Sequence, residues 1–190
     1  MKIKAFFCAF TLISACFLSV SGQRGLSVGD KVPVFQATAD DGTTWDIRKV
    51  LGKEYIVIYF YPGAMTGGCT KQACSYRDHI SNIDSVNAVV IGISGDKVEN
   101  QKLFKQAENL NFTLLSDEKG DIANKFGVPL GPGGSIKRTV AGTEHELVRD
   151  ISERRWTFIV GKDGKIIYKN DAVNPEKDSE EVLSFLKAAR

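Results

Sequence analysis

Two apolar runs separated by a helix-length segment constrain the fold of this chain more than any other feature. Residues 55–61 and 88–93 are continuous stretches rich in Ile, Val and Tyr, which is typical of strands buried on both faces. Between them, the sequence predicts a helix that starts around Gly67–Thr70 and ends near Ile83. A strand, a helix and a second strand predict a parallel pair joined by a crossover helix.

The rest of the chain adds strands and helices around this unit. Asp40-Asp41-Gly42 lies between the apolar runs 29–35 and 43–45, which predicts an N-terminal β-hairpin. The glycine-rich residues 130–143 predict a loop or a loose hairpin. Further helices are predicted over 98–109, 117–126 and 178–189, and further strands over 112–115, 155–160 and 165–169. We therefore expect an α/β fold with a central mixed sheet flanked by helices, in one domain over residues 26–190.

The charge of the chain argues against one class of partner. Its 190 residues carry 25 Lys and Arg against 23 Asp and Glu, a formal charge of +2. The basic pair Arg154-Arg155 is too short to form the clustered patch that nucleic-acid binding requires. We expect no nucleic-acid partner.

The first 22 residues are typical of a signal peptide. Lys2 and Lys4 precede the mostly apolar, uncharged residues 5–20, and small residues follow. This run is shorter than the about 20 residues of a transmembrane helix, so no membrane span is expected. Residues 13–16 also resemble a bacterial lipobox, which leaves open a lipid anchor on Cys16. We expect an exported protein, periplasmic or secreted, or a membrane-anchored lipoprotein.

The segment between the first strand and its helix carries a pair of thiols. Cys69 and Cys74 are five residues apart and follow Pro62 and two glycines. A thiol at a helix N-terminus meets unpaired N–H groups and the positive end of the helix dipole, which favour its thiolate form. The backbone N–H groups of Gly68 and Cys69 can hold developing negative charge. Cys69 is therefore a candidate nucleophile.

The residues alone leave other interpretations of this pair open. A structural disulfide suits an exported, non-catalytic protein, although so short a loop constrains the unfolded chain little. A thioredoxin-type disulfide oxidoreductase uses Cys-x-x-Cys, whereas four residues intervene between Cys69 and Cys74. Zinc sites place two to four residues between paired cysteines and as a rule use four ligands. No metal or cofactor is expected.

Several motifs resemble the peroxiredoxins, and most nearly their bacterioferritin-comigratory, or Q-type, subgroup. The likeness covers residues 27–189, and Gly67 departs from it, because the family usually has proline there. The resemblance implies a thioredoxin-like fold. The matching motifs are Tyr61-Pro62 with Thr66-x-x-Cys69-Thr70, Ala73-Cys74-Ser75-Tyr76-Arg77-Asp78, Ser116-Asp117 through Phe126-Gly127-Val128, and Arg155-Trp156-Thr157-Phe158-Ile159-Val160.

The resemblance also implies a thiol peroxidase that reduces hydrogen peroxide or organic hydroperoxides. Cys69 would be the peroxidatic nucleophile and pass through a sulfenic acid. Cys74 would resolve it as an intramolecular Cys69–Cys74 disulfide. Thr66 would orient the peroxide or the thiolate, or else cap the helix, and Pro62 would shield the thiolate.

The family register of arginine, one residue, threonine and an aromatic residue selects Arg155 over Arg154 as the cation beside Cys69. The disulfide would be reduced by a thioredoxin-like partner. Because the subgroup is often monomeric, a monomer is expected rather than a dimer.

The spacing of the two cysteines has a mechanical consequence. Residues i and i+5 of a helix are separated by about 7.5 Å of rise, whereas the Cα atoms of a disulfide rarely lie more than about 7 Å apart. We therefore expect the helix to unwind locally before Cys74 reaches Cys69. Gly67 and Gly68 favour this opening because glycine disfavours helix.

Overall fold

The two apolar runs form the middle of a seven-stranded sheet in the computed structural model, which describes residues 25–189. Strand β3 (Tyr55–Phe60) and strand β4 (Ala88–Ser94) are parallel, and helix α1 (Gly67–Asp84) connects them. Successive β3 side chains enter the hydrophobic clusters on opposite faces of the sheet, and all of them after Tyr55 are fully buried. This double burial is the reason that the run is continuously apolar.

The other elements extend this unit on both sides. The sheet order is β2-β1-β5-β4-β3-β8-β9, in which β5 is parallel to β4 and β8 is antiparallel to β3. The remaining elements are β1 (Gln36–Ala39), β2 (Thr44–Asp46), α2 (Val98–Glu108), β5 (Thr113–Ser116), α3 (Asp121–Phe126), β6 (Leu130–Val140), β7 (Thr143–Glu153), β8 (Trp156–Val160), β9 (Ile166–Asn170) and α4 (Asp178–Ala188).

Helices cover both faces of the sheet, as the alternating pattern predicted. One hydrophobic cluster joins the sheet to α1, α2 and α4, and includes Tyr59, Tyr76 and Phe104. The second cluster contains α3 residues and the N-terminal segment, with Phe126 against Phe60. The carboxyl end of β3, where α1 begins, is thus held between two packed layers.

The predicted N-terminal hairpin is present, but its first strand lies later in the chain. Strand β1 pairs with β2, and the turn contains Gly42 at a φ of 83°. Residues 29–35 were expected to form the first strand, yet only Lys31 makes an isolated bridge. Pro33 has no N–H group for a sheet ladder, and Phe35 is buried in the core instead.

The sequence predicted a loop or a loose hairpin at residues 130–143 and underestimated the regular structure there. A long regular hairpin occupies residues 130–153. Strands β6 and β7 pair from Leu130 opposite Glu153 to Val140 opposite Thr143. Two successive positive φ angles, 49° at Ala141 and 84° at Gly142, make the turn, and such turns match the twist of the two strands. The glycines of β6 concealed the strand, since glycine weakens the strand pattern in a sequence.

The predicted leader, residues 1–22 with the lipobox at Cys16, lies outside the described residues and stays a prediction. None of the α-helices within residues 25–189 combines the length and the apolar character that crossing a membrane requires.

Gly92 in β4 provides a test of the packing around β3. A Cβ atom there would lie 2.7 Å from the Tyr59 hydroxyl and 2.8 Å from a Leu114 methyl group. We expect Gly92→Ala to lower the free energy of unfolding by about 1–3 kcal/mol, because the extra methyl overpacks the core. Urea denaturation measures the change.

The matched control is Gly134→Ala in β6, where a Cβ atom would meet nothing within 4 Å. Equal stability losses in the two variants would contradict the packing described here.

Candidate active site

The turn from β3 into α1 carries the candidate nucleophile. Thr66 is the N-cap of α1, with an extended backbone, and Cys69 lies in the first turn. Cys69 is buried, with only 1% of its surface exposed. Both Cys69 and Cys74 are free thiols. The strand-to-helix turn therefore delivers a buried thiol to a helix N-terminus, as the sequence predicted.

Arg155 reaches this thiol from the strand on the other side of β3. Its Nη2 atom donates to Cys69 Sγ at 3.2 Å. The guanidinium lies close to Gly68, since a Cβ atom there would be in van der Waals contact with Nη2 at 3.4 Å. Arg154 is exposed, and its backbone N–H bonds to Pro129 O. Of the two candidate arginines, Arg155 is the one in contact with Cys69.

The backbone donors of the first helical turn lie at the same place. The hydrogen bond from Thr70 N–H to Thr66 O, at 2.8 Å, starts the helical ladder. Gly67, Gly68 and Cys69 precede this bond, so their N–H groups belong to those that a helix leaves without an intrahelical partner. These groups provide donors and a positive helix end beside Cys69.

The Thr66 side chain is not a helix cap. Its hydroxyl donates to Gly63 O at 2.9 Å, and no hydrogen bond joins it to the first turn of α1. The side-chain capping role that the sequence left open is therefore not observed. Because the hydroxyl proton is committed to Gly63, the Thr66 oxygen keeps lone pairs that can accept a further hydrogen bond.

Pro62 is half-buried and borders a cavity on the side of the β6–β7 hairpin. The cavity, about 280 Å³, is also lined by Leu130, Pro132, Glu153 and Arg154. Neither carboxyl oxygen of Glu153 has a hydrogen-bond partner among the described residues. Burial, reinforced by the nearby Asp117 and Asp96, raises the pKa of Glu153 well above its usual value.

A buried polar network supports Arg155 from behind. The Gln72 side chain accepts a hydrogen bond from Arg155 and donates to Asp178 Oδ2 at 2.7 Å. The same carboxylate oxygen accepts from Tyr76 at 2.7 Å and from Thr157 at 2.8 Å. Burial raises the pKa of Asp178, and these three hydrogen bonds oppose that shift. Donors from α1 and β8 thus meet at one carboxylate.

Sequence reasoning missed this network. Gln72 follows Cys69 by one helical turn and could have been found from that spacing. Asp178 looked only like the start of the last helix, and no local pattern places it beside α1.

Cys74 lies further along α1 and is half-buried. Its Sγ atom donates to Glu108 Oε2, at 3.6 Å, near the end of α2. Burial raises the pKa of the Cys74 thiol; Glu108 raises it further, and Arg77 lowers it. No sequence pattern predicts the contact with Glu108, since it joins residues of two helices that are 34 positions apart.

The comparisons with known proteins agree with this fold. The AhpC/TSA family matches residues 28–169. The chloroplastic peroxiredoxin Q of Suaeda salsa is 36% identical over 165 residues, which cover 86% of this chain and 69% of that protein. Peroxiredoxin Bcp of Escherichia coli (strain K12) is 36% identical over 162 residues, covering 85% of this chain and 96% of Bcp.

Solved structures show the same similarity. The crystal structure of peroxidoxin BcpB from Mycobacterium tuberculosis matches with a TM-score of 0.72 at 32% identity. It covers 87% of this chain and 99% of that chain. The α/β, thioredoxin-like fold expected from the sequence is confirmed.

The predicted exported location is wrong. The relatives whose names give a compartment are chloroplastic, including those of Suaeda salsa and Gentiana triflora, and neither these names nor those of Bcp and BcpB describe an exported protein. The prediction rested on residues 1–22 alone, which lie outside the described residues. Targeting signals lie in such leaders, and the fold of the domain does not specify the compartment.

The family match covers most of the chain, and the relatives share its sequence and its fold. The chain therefore belongs to the AhpC/TSA family and is a thiol peroxidase of the peroxiredoxin Q and Bcp type.

Proposed function

We propose that Cys69 is the peroxidatic cysteine of this enzyme and that Cys74 resolves it. The observation that carries this proposal is the 3.2 Å contact from Arg155 Nη2 to Cys69 Sγ at the start of α1. An arginine keeps its charge throughout the physiological range, and a charged donor stabilises a sulfur anion. The thiolate is the form of cysteine that attacks.

In the first step, the Cys69 thiolate attacks one peroxide oxygen. The S–O bond forms as the O–O bond breaks, and the leaving hydroxide or alkoxide takes up a proton, which leaves a sulfenic acid on Cys69. Thr66 accepts a hydrogen bond from the peroxide through its free lone pairs. Arg155 and the N–H groups of Gly68 and Cys69 stabilise the negative charge of the reacting atoms. Pro62 shields the thiolate from solvent.

In the second step, the Cys74 sulfur attacks the Cys69 sulfur. A disulfide forms, and the sulfenic oxygen leaves as water with the thiol proton. The first part of α1 must unwind for this, beginning at Gly67 and Gly68. The helix beyond it stays attached, since Ser75 and Tyr76 bond to Ser179 and Asp178 in α4.

The disulfide returns to two thiols through exchange with a protein dithiol. Peroxiredoxins act on peroxides and take their electrons from a thioredoxin-like reductant, which forms a mixed disulfide with the enzyme. We propose the same donor class for this chain. We also propose that the enzyme acts as a monomer, as its resemblance to the Q-type subgroup implies.

Two alternatives fit the chain less well. A thioredoxin-type oxidoreductase does not account for four residues between Cys69 and Cys74. A purely structural disulfide leaves the Arg155 contact with a buried free thiol unexplained. The relatives are named as peroxiredoxins, which favours the peroxidase.

Substitution of each cysteine tests the two assigned roles. We expect Cys69→Ser to abolish peroxide consumption, because a hydroxyl is a far weaker nucleophile than a thiolate. Cys74→Ser should consume one equivalent of hydrogen peroxide and then stop in a thioredoxin-coupled assay. Mass spectrometry should show its Cys69 as a sulfenic acid after this first equivalent, and as a sulfinic acid once excess peroxide supplies a second equivalent. A Cys69→Ser enzyme that still turns over would overturn the proposal.

Hydrogen exchange tests the unwinding of α1. Amide protons of residues 68–78 should exchange faster in the disulfide form than in the reduced form, because local opening removes their helical hydrogen bonds. Residues of β3 serve as the internal control and should be equally protected in both forms. Unchanged protection over 68–78 would show that the cysteines meet without unwinding.

The environment of Cys74 favours the protonated form of the resolving thiol. Burial and the Glu108 carboxylate both raise its pKa, so a smaller fraction is thiolate at neutral pH than for a free cysteine. A protonated thiol reacts slowly with oxidants and electrophiles. Of the two cysteines within residues 25–189, Cys74 is therefore expected to react slowly in the reduced enzyme.

Glu108→Gln tests this effect in the Cys69→Ser background, where Cys74 is the thiol under study in the described domain. Loss of the negative charge should lower the pKa of Cys74. The increase in the rate of alkylation by iodoacetamide with pH should therefore occur at a lower pH than in the parent enzyme. Cys74 remains buried in this variant, so the midpoint of its pH profile of alkylation should stay above that of a free thiol. The control is Glu99→Gln, an exposed residue in the first turn of α2. Equal alkylation profiles for the Glu108→Gln and Glu99→Gln variants would refute the assignment.

A further inference from the structure

We propose that the β6–β7 hairpin is part of the catalytic apparatus. Its Arg149 and Arg138 are positioning residues that hold residues 62–66, and with them the Thr66 hydroxyl, in the reactive arrangement. The inference rests on the function proposed above for Cys69 and Thr66. It adds two residues from a hairpin that the sequence predicted only as a loop or a loose hairpin.

Arg149 and Asp96 form a buried ion pair directly behind this loop. Asp96 is fully buried and Arg149 is 7% exposed, with Arg149 Nε 2.9 Å from Asp96 Oδ1. The other Asp96 oxygen accepts the Ala64 N–H at 2.7 Å, and Arg149 Nη2 donates to Ala64 O at 3.2 Å. The pair therefore holds both backbone polar groups of one loop residue.

The same guanidinium packs on the backbone that holds Thr66. A Cβ atom on Gly63 would lie 2.3 Å from the central guanidinium carbon of Arg149, so no other residue fits without displacing it. Gly63 O is the acceptor for the Thr66 hydroxyl, at 2.9 Å. A displacement of Arg149 would therefore shift Gly63, and with it the Thr66 oxygen.

Arg138 fixes the residue between Ala64 and Thr66. Met65 has a φ of 58°, a left-handed conformation that is unfavourable for a side chain other than glycine. Such a conformation persists only where the surroundings hold it. Arg138 Nε donates to Met65 O at 3.0 Å. Two hairpin arginines therefore hold two successive loop residues.

These contacts suit positioning better than stability alone. A buried ion pair contributes little net stability compared with apolar packing. Its value here is geometric, because the guanidinium bonds a carboxylate and a backbone carbonyl through two nitrogens fixed in one plane, a fork that the single ammonium of lysine lacks. A shift of about 1 Å in a reacting group can reduce a rate roughly 100-fold.

The test measures the rate constant of the first step, the reaction of reduced enzyme with hydrogen peroxide, by stopped-flow competition with a haem peroxidase. We expect Arg149→Lys and Arg138→Gln each to lower it roughly 10- to 100-fold. The control is Lys137→Gln. Lys137 is adjacent to Arg138, and within residues 25–189 its side chain is paired with the exposed Glu144. This variant should react like the wild type.

A double-mutant cycle separates positioning from general destabilisation. If Arg138 acts by positioning the Thr66 hydroxyl, Arg138→Gln should have little further effect in a Thr66→Val enzyme. A merely structural role would give the same factor in both backgrounds. Thermal melting checks that each variant is folded at the assay temperature. If Arg149→Lys does not fold, the test rests on Arg138→Gln, which changes an exposed residue.

Wild-type rates in folded Arg149→Lys and Arg138→Gln enzymes, or full additivity with Thr66→Val, would overturn the inference while leaving the roles of the cysteines intact. Peroxidase activity in Cys69→Ser, measured in the same series, would instead overturn the proposed function itself.

Discussion

The register between β3 and β8 is the constraint on which the active site depends. Trp156 lies opposite Phe60, the last residue of β3, so Arg155 stands at the point where the chain leaves the sheet for α1. Adjacent residues of a strand face opposite sides of a sheet, and a shift of one position would exchange them. Arg155 therefore reaches Cys69 because the buried β3 core fixes this register, and Arg154 does not reach it.

Two buried polar clusters hold the two components of the site. On one side, Gln72 and Asp178 orient the Arg155 guanidinium from α1 and α4. On the other, Asp96 and Arg149 hold the backbone of Ala64. Each cluster contains a carboxylate with several donors, because a buried charge must be paired or hydrogen-bonded to be tolerated. The thiol and the preceding loop are thus fixed by separate networks.

In the proposed mechanism, helix α1 has two opposing requirements. Its first turn must hold Cys69 at the helix N-terminus for reaction with peroxide, and the same turn must open for the proposed disulfide with Cys74. The sequence reconciles them along its length. Gly67 and Gly68 weaken the start, whereas Tyr76, which lies beyond Cys74, is fully buried, bonds to Asp178 and anchors the remainder.

Local patterns in the sequence determined the strands around Ile58 and Ile91, the helix between them and the position of Cys69 at its start. These features depend on periodicity and on residues close in the chain, which one sequence records directly. The leader was an exception, because an apolar N-terminal segment did not specify the compartment. The β6–β7 hairpin was predicted only as a loop or a loose hairpin over residues 130–143, since its glycines broke the strand pattern.

Only the tertiary structure decided which distant side chains meet. The contacts of Cys69 with Arg155, of Cys74 with Glu108 and of Arg149 with Asp96 join residues 34 to 86 positions apart. The family resemblance selected Arg155, but nothing in the sequence indicated Glu108 or Arg149. Such contacts follow from strand register and helix packing, which depend on the whole core at once and leave no local periodicity.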